Sequence, residues 1–393
     1  MIDNIPCPMS FISLFYIFGG LAMRKKYIDW LRVFGILLLF PFHAARVFDS
    51  REFNYIHSDA RSFVGEAFMD IIWPWFMPLM FLIAGIATWY ALQKRDASQY
   101  VKERILRLFI PLVLGVILIV PIQGYMARLQ QGTLNGRYIE YLFTQFFSDF
   151  SDISGYNGSF TPAHLWFIIF LFVFSCLLLP LFIHIINARR RKGLGFIGRL
   201  FSKGWFLILI FIPLTISEAL PYIGGKNPFF YGLYFTVGFL IASNEESIKA
   251  IDNIRWWSFG IMAISIFVYL SLMDYARGFG DFAWQSILFA FVRNLYGFST
   301  LLMMLAFAYR YLNRGGKVLD YLNKAAFPIY ILHHSVMMVI AYYVLQWSND
   351  ITLQYILIVV LSLIASFALF EAFRHFAPLR IILGIKSDKK EAN

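Results

Sequence analysis

The sequence predicts an all-α fold: a polytopic bundle of about ten membrane-crossing helices with both termini in the cytoplasm. Three observations carry this reading. Of the 393 residues 60% are hydrophobic and only 15% charged, with a mean hydropathy of +0.65, whereas a soluble domain usually carries about 25% charged residues. An apolar excess spread along the whole chain cannot hide in one soluble core and needs lipid as its solvent. The apolar residues also come in continuous runs of roughly 20, the length of a spanning helix, rather than in the alternation of membrane barrel strands. Finally, Lys and Arg are sorted unevenly between alternate loops.

The runs lie at roughly 28–48, 69–92, 105–125, 164–187, 204–222, 227–243, 256–273, 284–308, 325–346 and 353–373. With the first span starting inside, the cytoplasmic loops collect Arg24, Lys25 and Lys26, the Lys94–Arg107 stretch, Arg189–Arg190–Arg191–Lys192 with Arg199 and Lys203, Lys249, Arg255, Arg310, Arg314, Lys317, Lys324 and the C-terminal basics. These are 25 of the 34 basic residues; seven fall outside, and Arg32 and Arg293 lie within spans. Basic residues accumulate in cytoplasmic loops, so the net charge of +11 points to a bilayer and not to nucleic acid. A multi-pass protein of the bacterial inner membrane is expected.

Residues 1–22 read as an N-terminal extension, 23–385 as the integral membrane unit and 386–393 as a cytoplasmic tail. The apolar segment 11–22 is short for a span and lacks the basic start of a signal peptide. Translation from Met23, directly before Arg24–Lys25–Lys26, is the expected start, with a short interfacial helix as the alternative. Cys7 and Cys176 have no metal-like spacing and define neither a disulfide framework nor a redox site. Two outer loops, about 49–68 and 126–163, are long enough to carry function or to act as solvated connectors.

The ionisable residues at membrane depth are the informative ones. Arg32 and His43 are 11 residues apart in the first span, close to three helical turns, so they share a face and lie about 16 Å apart along the axis. Charged groups in spans usually face a protein interior or a water-filled cavity. Taken singly, Arg32 can snorkel and His43 can lock two helices by a hydrogen bond; together they suggest a lined passage. Arg46 follows one turn beyond His43. Arg104 and Arg107 are three apart and share a face by α-helical spacing. They suit an anionic ligand or are plain loop charge. His164 opens a span beside the long outer loop, as a site residue or, with Trp166, as an interfacial anchor. Tyr330 and His334 share a face four residues apart, lining a cavity or bridging helices, while the adjacent His333 and His334 are expected to point apart. No spacing argues for a metal.

These residues carry a resemblance. Asp29-x-x-Arg32 followed by His43 resembles the first-span motif of the membrane acyltransferase 3 family, and the wording Tyr27–Arg32 and Pro41–Arg46 is especially similar to its glucan biosynthesis protein C branch. Met77–Gly85, Arg104-x-x-Arg107 with Pro111, Pro162–Phe167 and Phe327–His334 resemble further family elements in the same order. The similarity covers about residues 23–385. Phe167–Phe170 stands where many sugar-modifying members carry a Glu pair, which fits the glucan branch.

The resemblance implies an O-acyltransferase that moves an acetyl or succinyl group from cytoplasmic acyl-coenzyme A to a carbohydrate hydroxyl outside, for example on a periplasmic glucan. The coenzyme would be a co-substrate and not a permanent cofactor. In that reading His43, with Arg32 and His164, is catalytic. Arg104 and Arg107 bind the donor, and Arg46, Trp166, Tyr330, His333 and His334 line the cavity. A neutral His is the usual base for a hydroxyl near neutral pH. The competing expectation is a transporter of a glycan or small molecule, which ten spans with polar groups at depth would also suit; the halves show no internal repeat. A degenerate, scaffolding family member would not need Arg32, His43, Arg104 and Arg107.

Overall fold

The computed structural model describes residues 25–51, 54–134, 136–148, 150, 156, 158–193, 195–276, 278–280 and 283–385. The expected extension 1–22, Met23, Cys7 and the tail 386–393 lie outside the described residues. The principal helices are α1 (Lys26–Arg46), α2 (Phe63–Leu92), α3 (Ala97–Gln131), α4 (Trp166–Leu177), α5 (Leu179–Lys192), α6 (Gly204–Ser217), α7 (Pro228–Ser243), α8 (Glu245–Asn253), α9 (Arg255–Ala276), α10 (Trp284–Tyr311), α11 (Lys317–Trp347) and α12 (Ile351–Phe373). No strand forms among the described residues; one isolated bridge pairs Ile223 with Lys226.

All ten apolar stretches are helical, but they are not equal. Among the described residues seven helices (α1, α2, α3, α9, α10, α11 and α12) are long and apolar enough to cross a bilayer, and α4 with α5 makes an eighth if that bent pair is one span. The pair bends by 49° at Leu178, where Pro180 in the first turn of α5 removes a backbone donor and crowds the preceding turn. The stretch expected at 204–222 stops being helical at Ser217. Its last residues turn toward the Ile223–Lys226 bridge, leaving α6 short. At 16 residues, α7 spans about 24 Å, less than the roughly 30 Å hydrocarbon core.

Side-chain caps start several helices, as local chemistry dictates. Ser62, Asp96, Asn227 and Asp350 accept the backbone N–H of Gly65, Gln99, Phe230 and Leu353 at 3.1, 2.8, 3.0 and 2.9 Å. α3 closes on Gly132 in the left-handed conformation (φ 67°), and Thr133 N donates back to Arg128 O at 3.0 Å, the bond that satisfies a terminal carbonyl.

In the bundle α2 and α11 are the most interior of the long helices; α9 and α12 are only 17% and 22% buried and lie at the periphery. The exposed Trp257, Ile264 and Phe267 of α9 and Ile364 of α12 give the apolar outer surface that lipid requires. Glycines let α2 and α7 touch: a side chain at Gly85 would strike the Phe235 carbonyl, and one at Gly238 the Leu82 carbonyl. Close backbone approach through small residues is a standard way for helices to associate in lipid. A membrane-depth ion pair joins α10 to the end of α6. Arg293 Nη2 meets Glu218 Oε2 at 2.5 Å, and Asn294 adds a hydrogen bond of 2.9 Å to the same oxygen.

α1 and α11 run parallel, clasped along their length. Lys26 pairs with Asp320 at 3.3 Å, Trp30 Nε1 donates to Arg314 O at 3.0 Å, and Arg32 Nη1 donates to Asn323 Oδ1 at 2.9 Å. Three turns further on His43 meets His334. α12 returns antiparallel: Phe367 and Phe370 contact Tyr321, while Tyr355 reaches Pro41. The bundle therefore has a basic end, where α1 begins, and a histidine end, where α1 stops.

Candidate active site

At the histidine end four imidazoles from three elements converge. The His43 ring, in the last turn of α1, lies 4.4 Å from His334 and 5.4 Å from His333, centroid to centroid. His164, from the 3₁₀ turn Ala163–Leu165 before α4, lies 5.1 Å from His333 and 5.2 Å from His334. The expectation that His333 and His334 point apart is corrected. Their rings are 6.0 Å from each other, and a 100° step between neighbours still lets both reach a space that α1, α3 and the 163–165 turn close from other sides. Tyr330 donates its hydroxyl to the His164 carbonyl.

The hydrogen bonds fix the tautomers, because a carbonyl oxygen can only accept. His164 Nε2 faces Ile331 O at 3.0 Å, so Nε2 carries the hydrogen and Nδ1 is an acceptor. Gln123 Nε2 supplies the donor there at 3.1 Å, and also donates to Ser335 Oγ at 2.8 Å. Ser335 spends its own hydrogen on Ile119 O at 2.8 Å. The Gln123 amide is thereby oriented, and its Oε1 takes the Nδ1 hydrogen of His334 at 2.6 Å. The basic nitrogen left on His334 is Nε2. His333 Nδ1 likewise donates to Tyr330 O at 2.6 Å, and its Nε2 is buried without a partner, as is His43 Nδ1. Unpartnered buried polar atoms are uncommon and call for an explanation. Beside them Arg46, 8% exposed, acts electrostatically on both His43 and His334.

The two long loops, about 49–68 and 126–163, meet over this cluster. Tyr55 roofs it, 5.7 Å from His334 and 5.2 Å from Tyr156, and its loop is stapled to α3 by two bonds between His57 and Gln130 of 3.0 and 2.7 Å. Ala163 sits at φ 45°, a left-handed conformation that costs a non-glycine residue about 1–3 kcal/mol. Strain of that kind, immediately before His164, is common where a side chain must be aimed. Among the described residues no group of three or more His, Cys, Asp or Glu has the geometry to hold a metal ion.

The structure thus brings together His43, His164, Tyr330, His333 and His334, with Arg46 alongside. It does not bring Arg32, Arg104, Arg107 or Trp166 to them. Arg32 is occupied at the basic end by Asp29, at 3.0 Å, and Asn323. Trp166 packs instead with Phe81, Phe170 and Tyr231 under Lys226. Arg104 and Gln123 stand on one helix 19 residues apart, which puts about 28 Å between the two ends of the bundle. Arg104 lies over the Tyr100 ring at 4.7 Å with its Nε buried and unpartnered. Immediately after it α3 takes a π turn, Ile105–Phe109. Its i→i+5 bonding holds an extra residue per turn and swings Arg107 further from Arg104 than α-helical spacing implies. Sequence reading missed Gln123, Ser335 and Tyr55. Gln123 is fully buried in the structure, although its place at the edge of an apolar run suggests an amide facing head groups.

Fold and site together define a multi-pass helical membrane protein with a histidine centre enclosed at one end of its bundle. A family profile described as an acyltransferase domain matches residues 25–371; the chain belongs to that family and is a membrane acyltransferase. It is similar to the glucans biosynthesis protein C of Shigella dysenteriae serotype 1, 24% identical over 329 residues covering 80% of this chain and 82% of the relative. The protein of the same name from Escherichia coli K12 is 24% identical over 332 residues, with the same coverage. No solved structure matches.

Proposed function

We propose that the protein crosses the bacterial inner membrane ten times with both termini inside, α6 and α7 included. It takes an acetyl or succinyl group from cytoplasmic acyl-coenzyme A and esterifies a carbohydrate hydroxyl, such as that of a periplasmic glucan, on the outer face. The observation that carries this reading is the separation of two chemistries. Hydrogen-bond-oriented imidazoles lie at one end of the bundle, and Arg104 and Arg189, each seated on an aromatic ring with a buried nitrogen left unpartnered, lie at the other. The sorting of basic residues to the Arg104 end supports its being cytoplasmic, and the name of the similar proteins supports a glucan acceptor.

His43 takes the proton of the acceptor hydroxyl as its oxygen attacks the thioester carbon. The tetrahedral oxyanion forms near the Arg46 charge, the kind of placed positive charge that stabilises such intermediates. The C–S bond then breaks, and the proton held by His43 passes to the leaving sulfur, giving ester and free thiol. His334 holds its ring against His43 and is itself held by Gln123, which His164 and Ser335 orient.

The test is reconstitution in nanodiscs with acetyl- or succinyl-coenzyme A and an oligoglucoside. Ester and thiol should appear in equal amounts by mass spectrometry. Transport of unmodified glycan without ester would favour the transporter reading instead.

A further inference from the structure

The basic run at the end of α5 holds one arginine unlike its neighbours. Phe182, Ile186 and Arg189 fall on one face at helical spacing. Phe182 is fully buried and stacks on Phe239 at 3.9 Å, and Ile186 is 6% exposed. Arg189 continues that inward stripe. Its guanidinium lies 5.4 Å over the Trp89 ring, which also meets Phe239 edge to face, and its Nη1 is buried without a hydrogen-bond partner. Arg190 and Arg191 are exposed. Glu245, at the start of α8, acts on Arg189 electrostatically but forms no ion pair with it.

Arg189 also has a counterpart. Arg104 lies in the same way over Tyr100 with a buried, unpartnered Nε. Tyr100 is tied by its hydroxyl to Thr88 at 3.1 Å, the residue next to Trp89. Two aromatic-backed guanidinium groups are therefore mounted through adjacent residues at the end of α2. A positive-inside loop charge needs neither burial nor an aromatic seat. Guanidinium groups held rigid on rings, with donors left over, are suited to phosphate oxygens.

We infer that Arg189 is a donor-binding residue that, with Arg104, takes separate phosphates of one polyphosphate-bearing acyl donor; this rests on the reading of acyl-coenzyme A as donor. The test uses the full chain in nanodiscs with two probes: acetyl-coenzyme A, and adenosine 3′,5′-bisphosphate, which carries phosphates and no acyl arm. Arg189→Gln should weaken both by about tenfold or more, and Arg190→Gln should leave both unchanged. Arg189→Met, which keeps apolar packing on Trp89, should bind as poorly as Arg189→Gln while its ligand-free unfolding midpoint stays at the wild-type value. Equal losses at Arg189 and Arg190 would reduce the effect to bulk charge. Recovery of binding in Arg189→Met would assign Arg189 to packing, and unchanged binding in Arg189→Gln would remove it from the site. If wild type binds neither probe, the coenzyme reading beneath the inference falls as well.

Discussion

At the scale of single residues, the histidine centre depends on which nitrogen carries each hydrogen. His43→Gln keeps size and hydrogen bonding but cannot take a proton. Ester formation should fall about 100-fold or more with folded yield and donor binding close to wild type, because Arg104 and Arg189 lie at the other end. Near-normal turnover in that variant would move the base to His334, whose Nε2 is the free basic atom. Gln123→Leu is the complementary test. It conserves approximate volume but leaves His164 Nδ1, His334 Nδ1 and Ser335 Oγ without the partner each now has. Each unsatisfied buried group costs about 1–3 kcal/mol, so both the unfolding midpoint and the rate should drop, and an unchanged rate would make the amide irrelevant to His334. His43 was legible in the sequence because an imidazole inside an apolar run has few bland explanations. Gln123 was not, because an amide near the end of a run reads as facing head groups. Only the fold shows that α11 and the 163–165 turn cover it.

At the scale of elements, backbone contact between α2 and α7 sets how closely the centre of the bundle packs. Gly238→Leu would drive a side chain into the Leu82 carbonyl. Overpacking of this kind costs about 1–3 kcal/mol, and the expected result is a lower unfolding midpoint in detergent and a poorer yield of monodisperse protein; a midpoint equal to wild type would mean that α7 moves freely against α2. The helices themselves were legible as apolar runs, and the caps at Ser62, Asp96, Asn227 and Asp350 mark where several of them begin. The 49° bend before Pro180, the early end of α6 and the π turn after Arg104 were not legible. Around the bend the flanking residues are as apolar as in a straight span, so composition does not register that change of path. Likewise, the sequence shows Arg293 within a span, but only packing of α10 on α6 brings it to Glu218.

At the scale of the whole molecule, orientation decides whether the two-ended mechanism can work. A reporter fused after residue 385 should behave as cytoplasmic, and one inserted at Thr133, in the turn that ends α3, as external. The reverse pattern would put the arginine end on the wrong side for a cytoplasmic donor. Charge sorting supplies the expected sidedness, which the reporters test, whereas the convergence of residues 43, 123, 164 and 334 at one level of the bundle was visible only in part. Separations of many tens of residues carry no register until helices are packed.

The parallel run of α1 and α11 also fixes a parity. A chain that leaves α1 at the histidine end and enters α11 at the basic end must traverse the bundle an odd number of times in between. α2, α3, the bent α4–α5 pair, α9 and α10 already make five such passages, so the two short helices α6 and α7 can only be counted as a couple: both traverse, or neither does. Among the described residues eight and ten are admissible totals and nine is not. Because α12 runs back beside α11, the two ends of the described bundle share a side in either case.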